Sequence, residues 1–267
     1  MQLSATYTTH GFSNDNGHLM LDVFLRAIGR RGVLSPVNGA SFAGPNLAPN
    51  SIGTVFTGPL AAGLQVASAG PEAGLGGVTA TLRGSTNVEL PVPWFFVSPG
   101  QGSFLTPGAA APGAAVLKIV SGPRRWAIPT NVALSAPGVF AANGDGRGAP
   151  AAAVLRVKPD NVRSSEFPFV LDAAAGRYVA GALRFGEDRL FLDLYATGVR
   201  LADPAKVQVL IGGEPVTPLY AGAQPQFIGL DQVTLELPRS LAGRGRVEVI
   251  VVADGVRANP VELLFAN

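Results

Sequence analysis

Residues 78–120 and 207–252 carry two versions of one pattern, and that repetition constrains the fold more than any other feature of the chain. The first copy opens on Val-Thr-Ala-Thr-Leu-Arg-Gly (78–84), and the second on Val-Gln-Val-Leu-Ile-Gly-Gly (207–213). Each opening run ends in glycine, an aromatic segment follows a proline (93–97; 218–220), and a third run stops at a proline (104–107; 233–238). A Gly-containing turn and a final Val/Ile-rich run (114–120; 246–252) complete each copy. Two copies of this size predict two similar units in tandem, each built of short strands and turns.

Composition supports the same class. Hydrophobic residues make up 47% of the 267 and charged residues only 14%, too apolar a mixture for disorder. The 34 glycines and 22 prolines fall between short apolar runs, as the turns of an all-β sandwich require. No stretch reaches the roughly 18 uninterrupted apolar residues of a membrane helix, so no membrane span is expected. The net charge of +2 rests on scattered arginines rather than a clustered basic face, which argues against nucleic acid as a partner. With no cysteine, disulfides, thiolate catalysis and Cys-ligated zinc are excluded. The opening Met-Gln-Leu-Ser-Ala-Thr-Tyr (1–7) shows neither a basic n-region nor an apolar h-region, so no signal peptide is read in it.

The chain divides into an N-terminal extension (1–33), a first sandwich (34–136) and a second (137–267). In the extension, Leu19, Leu21, Val23 and Leu25 alternate along one face of residues 18–28, which suits a strand; helical spacing of Met20, Phe24, Ala27 and Ile28 fits nearly as well. In the first sandwich, strands are predicted at 52–57, 65–69, 78–83, 94–97, 103–106, 116–121 and 131–135. In the second they are predicted at 152–158, 178–180, 189–195, 207–211, 217–220, 232–237, 246–253 and 261–265. Residues 136–148 read as a turn-rich junction.

Several ordered motifs now point one way: Phe-Phe-Val-Ser-Pro-Gly-Gln (95–101), Ala-Pro-Gly-Val-Phe-Ala-Ala-Asn-Gly (136–144), Leu-Tyr-Ala-Thr-Gly (194–198), Gly-Leu-Asp-Gln-Val (229–233) and Leu-Pro-Arg-Ser-Leu-Ala-Gly-Arg-Gly (237–245). With Asn-Gly-Ala-Ser-Phe at 38–42, they resemble an uncharacterised secreted C-terminal domain family abundant in acidobacteria. The resemblance spans about residues 34–267; Gly-Ser-Phe at 102–104 departs from the family's usual Ile-Asn-Phe. It implies two tandem immunoglobulin-like β-sandwich domains of the IPT/TIG type and an extracellular or cell-surface location, and it implies no activity.

Candidate chemistry is sparse. His10 and His18 have no sequence partners that suggest a triad, and no Gly-x-Ser-x-Gly elbow occurs. Asp188 and Asp193 flank a strand and form a conceivable acid–base pair, although carboxylates at strand ends are ordinarily solvated. Residues 143–148 (Asn-Gly-Asp-Gly-Arg-Gly) lack the Gly-Lys-Ser/Thr ending of a phosphate loop and read as a turn. Residues 14–17 (Asn-Asp-Asn-Gly) offer oxygens at calcium-like spacing without the bidentate Glu, and also read as a turn. No metal, cofactor or catalytic residue is therefore expected. Consecutive aromatics at 94–96 must point to alternate faces of a strand, so at least one ring faces away from its own core. It would either pack under the second sandwich or, as Trp94 and Phe96 would, serve as a surface aromatic; Trp126, after Arg124-Arg125, is a further candidate surface aromatic.

The leading expectation is a non-enzymatic extracellular structural protein that self-associates into an oligomer or filament. In it, Leu19, Leu21, Val23 and Leu25 would either be the subunit contact, adding a strand to a neighbour's sheet edge, or cap the first sandwich of their own chain. The alternative from another class is a module binding cell-surface glycan on Trp94, Trp126 or Tyr178.

Overall fold

The computed structural model describes residues 35–267. The expected subunit-contact residues Leu19, Leu21, Val23 and Leu25 lie outside them. The described residues form an all-β structure of several sheets, in agreement with the sequence.

The first half begins with β1 (Val37–Asn38), β2 (Asn46–Leu47), β3 (Ile52–Phe56), β4 (Gln65–Val66), β5 (Gly74–Leu75) and β6 (Val78–Arg83). It continues with β7 (Glu89–Pro91), β8 (Trp94–Val97), β9 (Gln101–Leu105), β10 (Gly113–Ser121) and β11 (Arg124–Val132). Two sheets result, in the orders β1-β3-β9-β8-β4 and β2-β11-β10-β6-β5, with β7 also on β6.

The second half opens with β12 (Gly138–Val139), β13 (Ala152–Val157), β14 (Arg163–Glu166), β15 (Phe169–Asp172), β16 (Arg177–Ala180), β17 (Ala182–Leu183) and β18 (Arg189–Thr197). It ends with β19 (Val207–Ile211), β20 (Glu214–Val216), β21 (Tyr220–Ala223), β22 (Asp231–Glu236), β23 (Gly245–Ala253), β24 (Val256–Arg257) and β25 (Val261–Phe265). Its two large sheets run β14-β13-β18-β22-β21 and β17-β25-β23-β19-β20, and β15 pairs β16 as a separate hairpin.

The halves share a plan. In each, the opening segment divides between the two sheets. β1 lies antiparallel on β3 and β2 parallel on β11, just as β13 lies antiparallel on β18 and β17 parallel on β25. The four runs of the sequence repeat occupy matching positions: β6 with β19, β8 with β21, β9 with β22, and β10 with β23.

Alternation explains the packing, because successive strand side chains point to opposite faces. Val78, Ala80 and Leu82 of β6 are buried while Thr79 and Arg83 are exposed; Leu190, Leu192, Leu194 and Ala196 do the same on β18. One hydrophobic cluster joins Val55, Trp94, Val97 and Phe104 of one sheet to Leu82, Leu117 and Ile119 of the other. A second joins Leu192, Leu194 and Leu235 to Val209, Val249 and Leu263. The two clusters have no residue in common.

Two expectations shift. The strand expected at 131–135 instead runs from Arg124, back along β10 after the turn at Gly122 (φ 55°). Pro129 is tolerated within it because β2 covers only Asn131 and Val132, so among the described residues no strand opposite Pro129 demands the missing N–H. β14 and β15 were not expected.

Candidate interaction surface

Residues 158–181 are an insertion. In the first half the passage from β1 to β2 takes only residues 39–45, whereas between β13 and β17 the chain builds β14 and then the β15–β16 hairpin. β14 pairs with β13 and so extends its sheet. The hairpin turn is closed by Asp172 Oδ1, which accepts from the N–H groups of Ala174 (3.0 Å) and Ala175 (3.1 Å).

The junction loop holds the hairpin to the body. Asn143 Oδ1 accepts from the Tyr178 N–H and its Nδ2 donates to the Tyr178 carbonyl, both at 2.9 Å. One amide side chain thus satisfies both outward backbone groups of Tyr178, as a neighbouring strand would. Asp145 adds a 3.6 Å ion pair with Arg177. Asn259 secures the loop from below, donating to the carbonyls of Val139 (2.9 Å) and Gly146 (2.7 Å).

A stripe of apolar side chains runs along the hairpin. Phe167 stacks on Phe169 with centroids 5.2 Å apart, and Phe169 meets Tyr178 edge-on, also at 5.2 Å. Phe167 is 67% exposed, Leu171 59%, Val170 54% and Tyr178 40%, which makes this hairpin an apolar projection rather than part of either core.

Several charged side chains, by contrast, are engaged in holding the fold. Asp231 is fully buried; its carboxylate accepts from the N–H groups of Val199 (2.7 Å) and Arg200 (3.2 Å) and from Arg200 Nε (2.6 Å). Burial pushes its carboxyl above the usual aspartate range, against the opposing pull of those N–H groups and the Arg200 charge. Arg156 bridges Glu166 (2.6 Å) and Asp188 (3.0 Å), while Asp193 accepts from Thr234 and Gln232. The conceivable acid–base pair Asp188 and Asp193 is therefore divided between two separate networks. Among the described residues no group of three or more His, Cys, Asp or Glu is placed to hold a metal. Among them, too, no helix is long and apolar enough to cross a membrane.

No family model matches the chain, and no curated protein matches it. Among solved structures it is similar to one described as "Structure of the S-layer protein SbsC, domains 5-6", at 11% identity and a TM-score of 0.27. That match covers 88% of this chain and 97% of the other.

Of the expected surface aromatics, Trp94 needs correction. Trp94 is fully buried, edge-on to Phe104 at 5.7 Å, because the bulge between Trp94 and Phe96 turns its ring into the core. Phe96 is half-buried, and Trp126 is half-buried against the first cluster. The ring on the opposite face is Phe95, which approaches Gly229 of the second half. There Thr197 Oγ1 links the halves, accepting from the Ile52 N–H and donating to the Gly229 carbonyl, both at 2.8 Å. Asn38, in the expected opening motif, donates to the Ala136 carbonyl at 2.7 Å. Sequence reasoning marked Tyr178 but missed Phe167, Phe169, Val170 and Leu171; the available signal was the apolar run 167–171 ahead of a turn ending in Gly176 (φ 63°).

Proposed function

We propose that the chain is a non-enzymatic structural subunit of an extracellular or cell-surface assembly, made of two tandem immunoglobulin-like sandwiches of the IPT/TIG type. The observation that carries this reading is the inserted hairpin, an exposed apolar surface that the otherwise matching first half lacks. Exposed apolar patches of this kind mark contact sites, whereas Arg156, Glu166 and Asp188 are tied into fold-holding pairs. The shared topology, with an opening segment divided between two sheets, supports the immunoglobulin-like part.

The finer proposal is self-assembly with residues 18–28 as a donor strand, Leu19, Leu21, Val23 and Leu25 facing the neighbour's sheet edge. Head-to-tail addition of that kind builds open filaments when the rotation does not close. Negative-stain imaging and sedimentation of the purified chain test it. Filaments or large oligomers are expected, and a version lacking residues 1–28 should stay folded and form no filaments. Unfolding of the first half in that version would mean the segment completes its own sandwich instead.

A second reading, glycan binding, is favoured by one observation: Tyr178 presents an exposed ring beside the Phe167–Phe169 stack. Tyr178→Ala should then abolish retention on a cell-wall polysaccharide column. Trp126→Ala should weaken it, while unchanged retention in both would dismiss this reading.

A further inference from the structure

The hairpin's hydrogen bonds fix which backbone groups on its outer edge are open. Gly181 N–H donates to the Pro168 carbonyl at 3.0 Å, and the register places Val170 opposite Val179 and Leu171 opposite Tyr178. Antiparallel pairs alternate between hydrogen-bonded and non-bonded, so 168–181 and 170–179 are the bonded pairs. Phe169 and Leu171 therefore direct their N–H and C=O groups away from β16. The Asn143 clasp on Tyr178 confirms this alternation from the other strand. Among the described residues nothing pairs with those four groups on β15. β16 lies on the body side, held by the junction loop and touching β25, so the free edge of β15 faces outward.

We propose that this edge pairs with the same edge of a second copy, antiparallel about a two-fold axis at Val170. The proposal rests on the self-assembly reading above and names one of its surfaces. The two-fold places Phe169 opposite Leu171 of the second copy as a bonded pair, and Leu171 opposite Phe169 likewise, so each open N–H meets a C=O. The apolar stripes then continue across the axis on one face, with Val170 against Val170 on the other.

Charge selects this register. Centring the pair on Phe169 sets Asp172 opposite Glu166, two like charges, and centring it on Leu171 slides Phe169 against Ala173 in the turn. Centred on Val170, Asp172 faces Pro168 and no like charges meet. Phe167, Val170, Leu171 and Tyr178 expose on the order of 400 Å² together, judged from typical side-chain areas. Twice that area falls below the roughly 1,200 Å² at which standard specific interfaces begin, so the contact is weak alone and gains strength only where several copies are held together.

The absence of cysteine from the sequence makes the geometry directly testable in the full chain. Val170→Cys places two thiols in a non-bonded antiparallel pair, within disulfide reach. Leu171→Cys places each thiol opposite Phe169. On mild oxidation, Val170→Cys should yield disulfide dimers at least tenfold faster than Leu171→Cys; equal rates, or no dimer, overturn the register. Sedimentation equilibrium supplies the second arm. Val170→Lys, which sets two ammonium groups across the axis, should weaken association at least tenfold, while Leu219→Lys, exposed beside β21 at the far edge of the sheet from β14, leaves it unchanged. Association unaffected by Val170→Lys rejects this contact but leaves assembly standing. A wild-type chain that stays monomeric at every concentration rejects both.

Discussion

Asp231 and Arg200 show how a single buried charge is made tolerable. The carboxylate lies inside the second half with three N–H donors around it, and removing them or it leaves an uncompensated partner. Asp231→Ala should cost about 3–5 kcal/mol of unfolding free energy in urea titrations. Its pH dependence has a definite sign. Because burial raises the folded carboxyl above the unfolded value of about 3.9, the native state binds the proton more readily. Stability from this site is therefore greatest at low pH and falls as pH rises from about 3.9 through the raised value. Asp231→Asn should remove that fall, and an unchanged pH slope would count against it. Glu236, lowered by its exposed pair with Arg189, acts in the opposite sense, since stability is lost as pH falls through its depressed value. Solvent and salt screen that pair strongly. At Gly229 the constraint is space and backbone together: φ is 82°, and an added Cβ would sit 2.7 Å from Ile52 Cγ1. Gly229→Ala should accordingly speed amide exchange at Ile52, whose N–H depends on Thr197 beside that contact.

At the scale of elements, the hairpin is held by side chains rather than by a sheet. A two-stranded hairpin is marginal alone in water, so the Asn143 clasp is a large part of its order. Asn143→Ala should raise exchange at the Tyr178 amide about tenfold, equivalent to ~1.4 kcal/mol of local opening, with little change in global stability. Asn143→Asp keeps the acceptor for that N–H but sets a carboxylate oxygen against the Tyr178 carbonyl, so it should restore only part of the protection. This element also marks the limit of what the sequence made legible. β6, β8, β19 and β25 were read at their observed bounds, because period-two alternation or an apolar run between Gly and Pro signals a strand with a core on one side. β15 has no core beneath it, so Phe-Val-Leu-Asp shows no alternation, and its pairing depends on a clasp from residues far back in the chain. Trp94 failed for a related reason: a bulge, invisible in the sequence, changed which ring faces inward.

For the whole molecule the sequence repeat was the most legible feature, since its four runs fall on matching strands of the two halves. What it left unread is how far the halves depend on each other. Their hydrophobic clusters share no residue, and hydrogen bonds such as Thr197 with Ile52 and Ser135 with Asp254 join them. Polar contacts of this kind each contribute on the order of 1 kcal/mol, less than a buried leucine. Unfolding should therefore separate into two calorimetric transitions. Leu117 and Leu192 are both fully buried, one in each cluster, and truncation of either to alanine should cost about 2–5 kcal/mol. Leu117→Ala should lower one transition and Leu192→Ala the other, each leaving its neighbour within a degree or two. If both variants shift one common transition equally, the link through Thr197 and Gly229 couples the halves into a single cooperative unit. The division into two independently stable modules would then be wrong.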